Sequence, residues 1–174
     1  MKRRYFIKHI LIGISTGALG LLSPGVEPVR SAGRRFPKPD KKDRCPVCGM
    51  FVHKFPKWAA GLVFDNGSMY FHCSPKCMLH NLNNIAKYQP GEERRNLKLI
   101  WATDYYTTKK MDARELFFVT GTNLLGPMGL DLVPVRGRNA ADNLKADYKG
   151  ESVLSLEQIT PAVIEAARKG RLRK

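Results

Sequence analysis

Apolar residues in this chain come in short runs separated by Gly, Pro, Asn and Asp, a spacing that predicts short strands and helices in place of long helices. Residues 50–53 read as extended. Residues 58–64, Trp-Ala-Ala-Gly-Leu-Val-Phe, read as a strand, Asp65-Asn66-Gly67 as a tight turn, and residues 68–72 as the returning strand. Ser74 is placed to cap a helix that Pro75 opens. Cys77, Met78, Leu79, Leu82 and Ile85 then recur at helical spacing, and Pro90-Gly91 ends the run. Residues 97–103 form another strand.

The second half repeats the outline without cysteines. Residues 116–120 are a strongly apolar strand, and Gly126-Pro127-Met128-Gly129 is a loop. Residues 130–136 are extended, 139–148 helical and 153–156 a strand. Thr160 caps a last helix that Pro161 opens and that runs through Ala167. Strand, strand, helix, strand thus occurs twice, which predicts an α+β fold of two small units packed together. The expected divisions are a leader over residues 1–32, a basic linker over 33–44, a cysteine-rich unit over 45–110, and a second unit with the C-terminal helix over 111–174.

The beginning of the chain reads differently. Arg3-Arg4-Tyr5-Phe6-Ile7-Lys8 precedes an uncharged stretch from residue 9 to 26 that contains Gly, Ser and Thr. A basic segment followed by a mildly apolar one is an export leader. The paired arginines resemble a twin-arginine signal, with Lys2 in place of the usual Ser or Thr. That places the protein in the periplasm or on the outer face of the cytoplasmic membrane. An uncleaved leader would also associate it with the membrane. Ser31-Ala32-Gly33 is small enough for cleavage, although Arg30 fits that site poorly. Lys42-Asp43-Arg44 before Cys45 is wrong for lipid attachment.

Charge sharpens this picture. Lys and Arg number 30 against 15 acidic residues, a net charge of +15. Such a balance invites a nucleic-acid reading. Residues 1–44, however, hold eleven of the basic residues against three acidic ones, so about half of the excess sits in the leader and linker. The remainder is a solvated basic surface, and no nucleic-acid partner is expected. Neither paired carboxylates, nor a Gly-rich phosphate loop, nor a Ser-His-Asp arrangement is evident. The chain is therefore not expected to be an enzyme.

The candidate chemistry lies in sulfur. Cys45, Cys48, Cys73 and Cys77 form C-x2-C, then 24 residues, then C-x3-C, all within 33 residues. Four thiolates from two such turns can hold zinc tetrahedrally. C-x-x-C is also the spacing of thiol–disulfide exchange, but the strand-then-long-helix context of thioredoxins is missing. A third reading is copper(I), a soft ion that prefers thiolate and thioether. Met50 follows Cys48 by two residues, and on an extended chain both would face one ion across Gly49. Methionine is a poor zinc ligand, so Met50 favours copper. His72 and His80 flank the second cysteine pair as further donors, with His53 a weaker one.

Cys45-Pro46-Val47-Cys48-Gly49-Met50-Phe51-Val52, Pro56-Lys57-Trp58, Asp65-x-Gly67 and Phe71 together resemble the NosL family, exported accessory proteins in the assembly of nitrous oxide reductase. Gly126-Pro127-Met128-Gly129 with Leu132-Val133-Pro134, and Ala140-Ala141 beyond, resembles that family's Met-Gly loop and following helix. The resemblance runs from residue 45 to about 159. It implies a fold of two related ββαβ units and delivery of copper(I) to a client copper enzyme, nitrous oxide reductase or its assembly factors. By position it implies copper ligation by Cys48, Met50 and Met128. Two features depart from the family pattern: the twin-arginine-like leader, where many members are lipoproteins, and the sulfur-rich Phe71-His72-Cys73-Ser74-Pro75-Lys76-Cys77 segment. The latter resembles small heavy-metal trafficking and sensing domains. A structural-zinc interaction or metal-sensing module is therefore the alternative function. Cys45, Cys73, Cys77 and His72 are further candidate metal ligands, and the added cysteines can complete the copper site, form a zinc site or pair as a disulfide.

Overall fold

A computed structural model describes residues 36–169; the leader, the first three residues of the linker and the last five residues lie outside the described residues. The fold is α+β. Strands β1 (Ala60–Phe64), β2 (Met69–His72), β3 (Leu97–Thr103) and β4 (Lys110–Asp112) form one antiparallel sheet in the order β2-β1-β3-β4. Strands β5 (Leu116–Thr120), β8 (Val133–Arg136) and β9 (Ser152–Ser155) form a second, ordered β8-β5-β9. In each sheet the first strand is central, the second and third flank it, and a helix lies between those two in sequence. The repeat legible in the element order is thus a repeat of topology. Between β5 and β8, β6 (Leu125–Gly126) and β7 (Gly129–Leu130) make a small separate hairpin with Pro127 and Met128 at its tip.

The expected strands and helices fall within a residue or two of the observed ones, with four differences. The extended segment expected over residues 130–136 is a strand only from Val133, and Leu130 pairs back on Leu125 in the β6–β7 hairpin, in place of the expected loop. Residues 50–53 are not a strand. Phe51 makes one isolated bridge to Arg44, and Val52–Lys54 is a single 3-10 turn. The helix after Ser74 is shorter than the apolar spacing suggests. Helix α1 spans Pro75–Leu82, and a separate turn α2 spans Ile85–Tyr88. The break falls at Asn83-Asn84, where the Asn84 side-chain amide donates to the His80 carbonyl at 2.8 Å. Asparagine side chains compete with the backbone in this way and close helices. Finally, the short edge strand β4 has no counterpart in the sequence pattern.

Side-chain alternation in β1 and β3 divides the first sheet into two faces. Ala60, Leu62, Phe64, Ile100 and Ala102 face a core shared by both units, with Met78, Leu79 and Leu82 from α1, Leu116, Phe118 and Leu132 from the second unit, and Ile164 and Ala167 from α4 (Pro161–Arg168). Leu99 and Trp101, with Phe71 of β2, face the other way. The chain preceding β1 covers them, burying Cys45 and Val52 there, with Cys73 and Cys77 in the same layer. Val119, Val133 and Val135 pack under helix α3 (Arg138–Asp147) through Ala141 and Leu144. Asp104 ties the units together. It accepts from the Arg136 N–H at 2.7 Å and, with its other oxygen, from the Thr107 hydroxyl at 2.6 Å.

Candidate metal centre

The two cysteine pairs are carried by different pieces of chain. The first lies in a hairpin-like turn closed by Cys45 N–H to the Met50 carbonyl and by Gly49 N–H to the Cys45 carbonyl, each 2.8 Å. Gly49 has φ +76°, a conformation that most side chains resist, so a glycine suits this turn. The second pair brackets the passage from β2 into α1. There the Cys77 N–H donates to the Ser74 hydroxyl at 3.4 Å, which caps the helix. Residues 73 and 77, four apart, bring their sulfurs to 3.8 Å.

Packing of the turn against the outer face of the first sheet joins the pairs. All four Sγ atoms lie within 4.8 Å of one another, and all four cysteines are free thiols. Cys45, Cys73 and Cys77 are buried, while Cys48 is partly exposed. Mutual hydrogen bonding dominates their acid–base behaviour. Cys45 is held far below the ordinary thiol range, because Cys48, and then Cys73 and Cys77, donate toward its sulfur; burial opposes this. Cys48 is pulled two ways. Cys45 raises it, Cys73 and Cys77 lower it, and it stands at about 7. Cys73 and Cys77 are pushed up, first by the neighbouring Cys45 and then by Cys48. The set therefore holds negative charge readily on the Cys45–Cys48 turn and retains protons on the other pair.

A cavity of about 180 Å³ adjoins this set. Val47, Cys48, Lys76, Cys77, His80, Met128 and Arg168 line it. Met128 thus shares a cavity with Cys48, 80 residues away in sequence, and with Cys77, 51 away, although it belongs to the second unit. It is 44% exposed, high for an apolar side chain and consistent with a residue at the cavity's open side.

The other candidate donors stand further out. Met50 is half-buried in the same apolar layer as Cys48, Cys73 and Cys77, but it does not line the cavity. The chain between Cys48 and Met50 turns at Gly49, so the extended geometry expected there is absent. His72 is outside the close set of donor atoms. Strand alternation accounts for this: Phe71 and Cys73 point to one face and His72 to the other, where its Nε2 meets the Asn81 amide at 2.7 Å. Burial holds His72 down to about 4, so its ring is neutral at neutral pH. His80 lines the cavity, but its Nε2 is 3.0 Å from the Tyr88 hydroxyl and 3.1 Å from Arg168 Nη1. Burial, then the Arg168 charge, lowers its pKa. His53 is not in the close set of donors either.

Sequence reasoning missed Lys76, Asp131 and Arg168. Lys76 is 4% exposed, an unusual burial for lysine. Its Nζ donates to the carbonyls of Met128, at 2.9 Å, and Leu130. Its N–H donates to Asp131 Oδ1 at 2.8 Å, and the Leu132 N–H donates to the same oxygen at 2.9 Å. Burial raises Asp131 to about 6, against the pull of the Lys76 charge and the two N–H donors. The one signal for this in the sequence is that Lys76 sits between two cysteines in Cys-Ser-Pro-Lys-Cys.

No curated protein matches the chain. Among solved structures it is similar to the crystal structure of the copper chaperone NosL from Shewanella denitrificans, with 20% sequence identity, a TM-score of 0.59, and coverage of 74% of this chain and 97% of that one. At that identity the likeness is one of fold. The NosL family model matches residues 37–164, nearly the whole of the described fold, and the chain belongs to the NosL family.

Proposed function

We propose that the protein is an exported copper(I) chaperone, not an enzyme, that hands its ion to a client copper enzyme, with nitrous oxide reductase the client the family implies. The single observation carrying this reading is that Cys48, the exposed member of a buried thiol set, opens with Cys77 onto a cavity that Met128 also lines. Thiolate and thioether are the donors copper(I) prefers. Membership of the NosL family and the fold shared with a protein described as a copper chaperone support it. Copper(I) is cargo here. Cys48 and Cys77 would grip it with Met128, and Met50 would back the site from its apolar layer. A client donor enters through the cavity, shares the ion, and takes it by ligand exchange as the Cys48 bond breaks. Each thiol that binds gives up its proton, and the low pKa of Cys48 makes that release easy at neutral pH. Delivery outside the cytoplasm follows from the twin-arginine-like leader.

Zinc is the second reading, and one observation favours it. A tetrahedron with Zn–S bonds of about 2.3 Å has sulfur–sulfur edges of roughly 3.8 Å. The Cys48–Cys73 and Cys73–Cys77 separations, 3.4 and 3.8 Å, come close to that. Competition separates the two. The reduced protein is titrated with copper(I) and zinc against chelators of known affinity. Tight copper binding that Cys48→Ser abolishes, with zinc displaced by copper, supports the chaperone. One zinc retained by all four cysteines in the presence of copper(I), with unfolding when it is chelated, overturns it.

A further inference from the structure

The hairpin that carries Met128 has little of its own to hold it. Its strands are two residues each and pair only with one another, Leu125 with Leu130 and Gly126 with Gly129. A two-stranded hairpin of this size is not independently stable. Leu125 and Met128 are exposed, at 67% and 44%, so apolar burial does not fix it either. What reaches it is Lys76. The ammonium group donates to the carbonyls on both sides of Gly129, those of Met128 and Leu130. The same residue's N–H holds Asp131, the residue that follows β7. Asp131 is buried beneath the hairpin, and its Oδ2 lies where a side chain at Gly126 would stand, 2.8 Å from an added Cβ. Lys76 is bonded in sequence to Cys77. One residue therefore connects a thiol of the cavity to the loop that brings Met128 to it.

We propose that Lys76, held by Asp131, is a positioning residue that clamps the Met128 hairpin against the start of α1 and so sets Met128 as a copper(I) ligand beside Cys48 and Cys77. The inference rests on the copper(I) reading above. The clamp joins the two units of the fold across the site: α1 supplies the thiol and the donors, and the hairpin supplies the thioether and the acceptors. Its removal leaves the thiols in place and lets Met128 drift.

The test uses the full chain, reduced and oxygen-free, with its methionines labelled at the methyl carbon and copper(I) added from a chelate. The chain has six methionines, so the Met128 signal is assigned by its loss in Met128→Leu. In the unaltered protein the Met128 methyl is expected to shift on binding. In Lys76→Leu the shift disappears and affinity falls about 10- to 100-fold, as for loss of other partners that orient metal ligands. Adding Met128→Leu to Lys76→Leu costs nothing more, while Lys76→Arg keeps the shift. Gly126→Ala, which crowds Asp131 from the hairpin side, is expected to weaken the shift with Lys76 intact, and it carries the test should Lys76→Leu fail to fold. A Lys76→Leu protein that folds and retains both shift and affinity overturns the clamp alone. A Met128 methyl that stays unmoved when the unaltered protein binds copper overturns the Met128 assignment and the clamp together. A protein that binds no copper overturns the reading beneath both.

Discussion

Cys48 Sγ lies 3.4 Å from Cys73 Sγ, although the residues are 25 apart in sequence and belong to different elements. Neither cysteine motif makes the site by itself. The N-terminal turn supplies the exposed thiol, and the β2–α1 passage supplies a sulfur in direct contact with it. The contact exists because the turn packs on Phe71, Leu99 and Trp101.

This proximity predicts which disulfide forms first. Cys48 is partly exposed with a pKa near 7, so about half of it is thiolate at neutral pH and able to attack. With oxidised glutathione, Cys48 forms a mixed disulfide and releases one glutathione thiolate. Cys73 then gives up its proton, displaces the second, and closes the bridge. Peptide mapping is expected to find Cys48 joined to Cys73, with copper(I) capacity lost and then restored by reductant. A Cys45–Cys48 bridge as the first product would show that the resolving thiol is chosen by its charge, Cys45 being the readier thiolate, and not by the 3.4 Å contact with Cys73.

Serine substitutions divide the four cysteines by burial. Cys48→Ser changes a partly exposed atom, so folding stability should stay within about 0.5 kcal/mol while copper(I) affinity collapses. Cys45 is 1% exposed, so a hydroxyl there is cut off from water in an apolar layer with only the weakly hydrogen-bonding thiols of Cys48, Cys73 and Cys77 beside it. Cys45→Ser should cost about 1–3 kcal/mol of stability as well as metal binding. Urea unfolding of the metal-free, reduced proteins measures the difference. Equal stability losses in both variants would count against the assigned burial.

Gly61 is paired with Trp101 across β1 and β3, and the indole lies over it. A Cβ at position 61 would meet Trp101 Nε1 at 2.6 Å and Cε2 at 2.7 Å. Gly61→Ala should therefore destabilise the fold by about 1–3 kcal/mol, as overpacking does. Because Trp101 is in the layer that seats the thiols, its fluorescence should shift and copper(I) affinity should fall with it. Unchanged unfolding and emission would show that the sheet has room there.

Much of this was legible beforehand. Period-two and helical spacing locate β1, β3, β5 and α1, since those residues bury one face each. Clustered sulfur announces a metal centre whatever the fold. The ligand geometry was less accessible. The reading of Cys48 and Met50 as same-side neighbours assumed an extended chain, and a left-handed Gly49 removes that premise. His72 stands beside Cys73 in sequence, yet alternation along β2 turns it away. Lys76 and Asp131 were invisible because their partnership depends on contacts 55 residues apart, and a lysine in a helix's first turn ordinarily reads as solvated.

The two buried titrating groups flanking this region should give opposite pH signatures. Folded His72, at about 4, binds fewer protons between pH 4 and 6.5 than the unfolded chain does, so its contribution to stability rises with pH through that window. Folded Asp131, at about 6, binds more protons than the unfolded carboxylate between pH 3.8 and 6, so its contribution falls as pH rises. Each effect is on the order of 3 kcal/mol across its window. Subtracting the unaltered protein's stability from that of a variant isolates the group removed. For Asp131→Asn the difference should grow more favourable from pH 4 to pH 6. For His72→Gln it should grow less favourable from pH 4 to pH 6.5. Denaturant titrations at half-unit steps of pH on the reduced, metal-free proteins give both slopes, and two slopes of the same sign would show that one of these side chains is not buried as described.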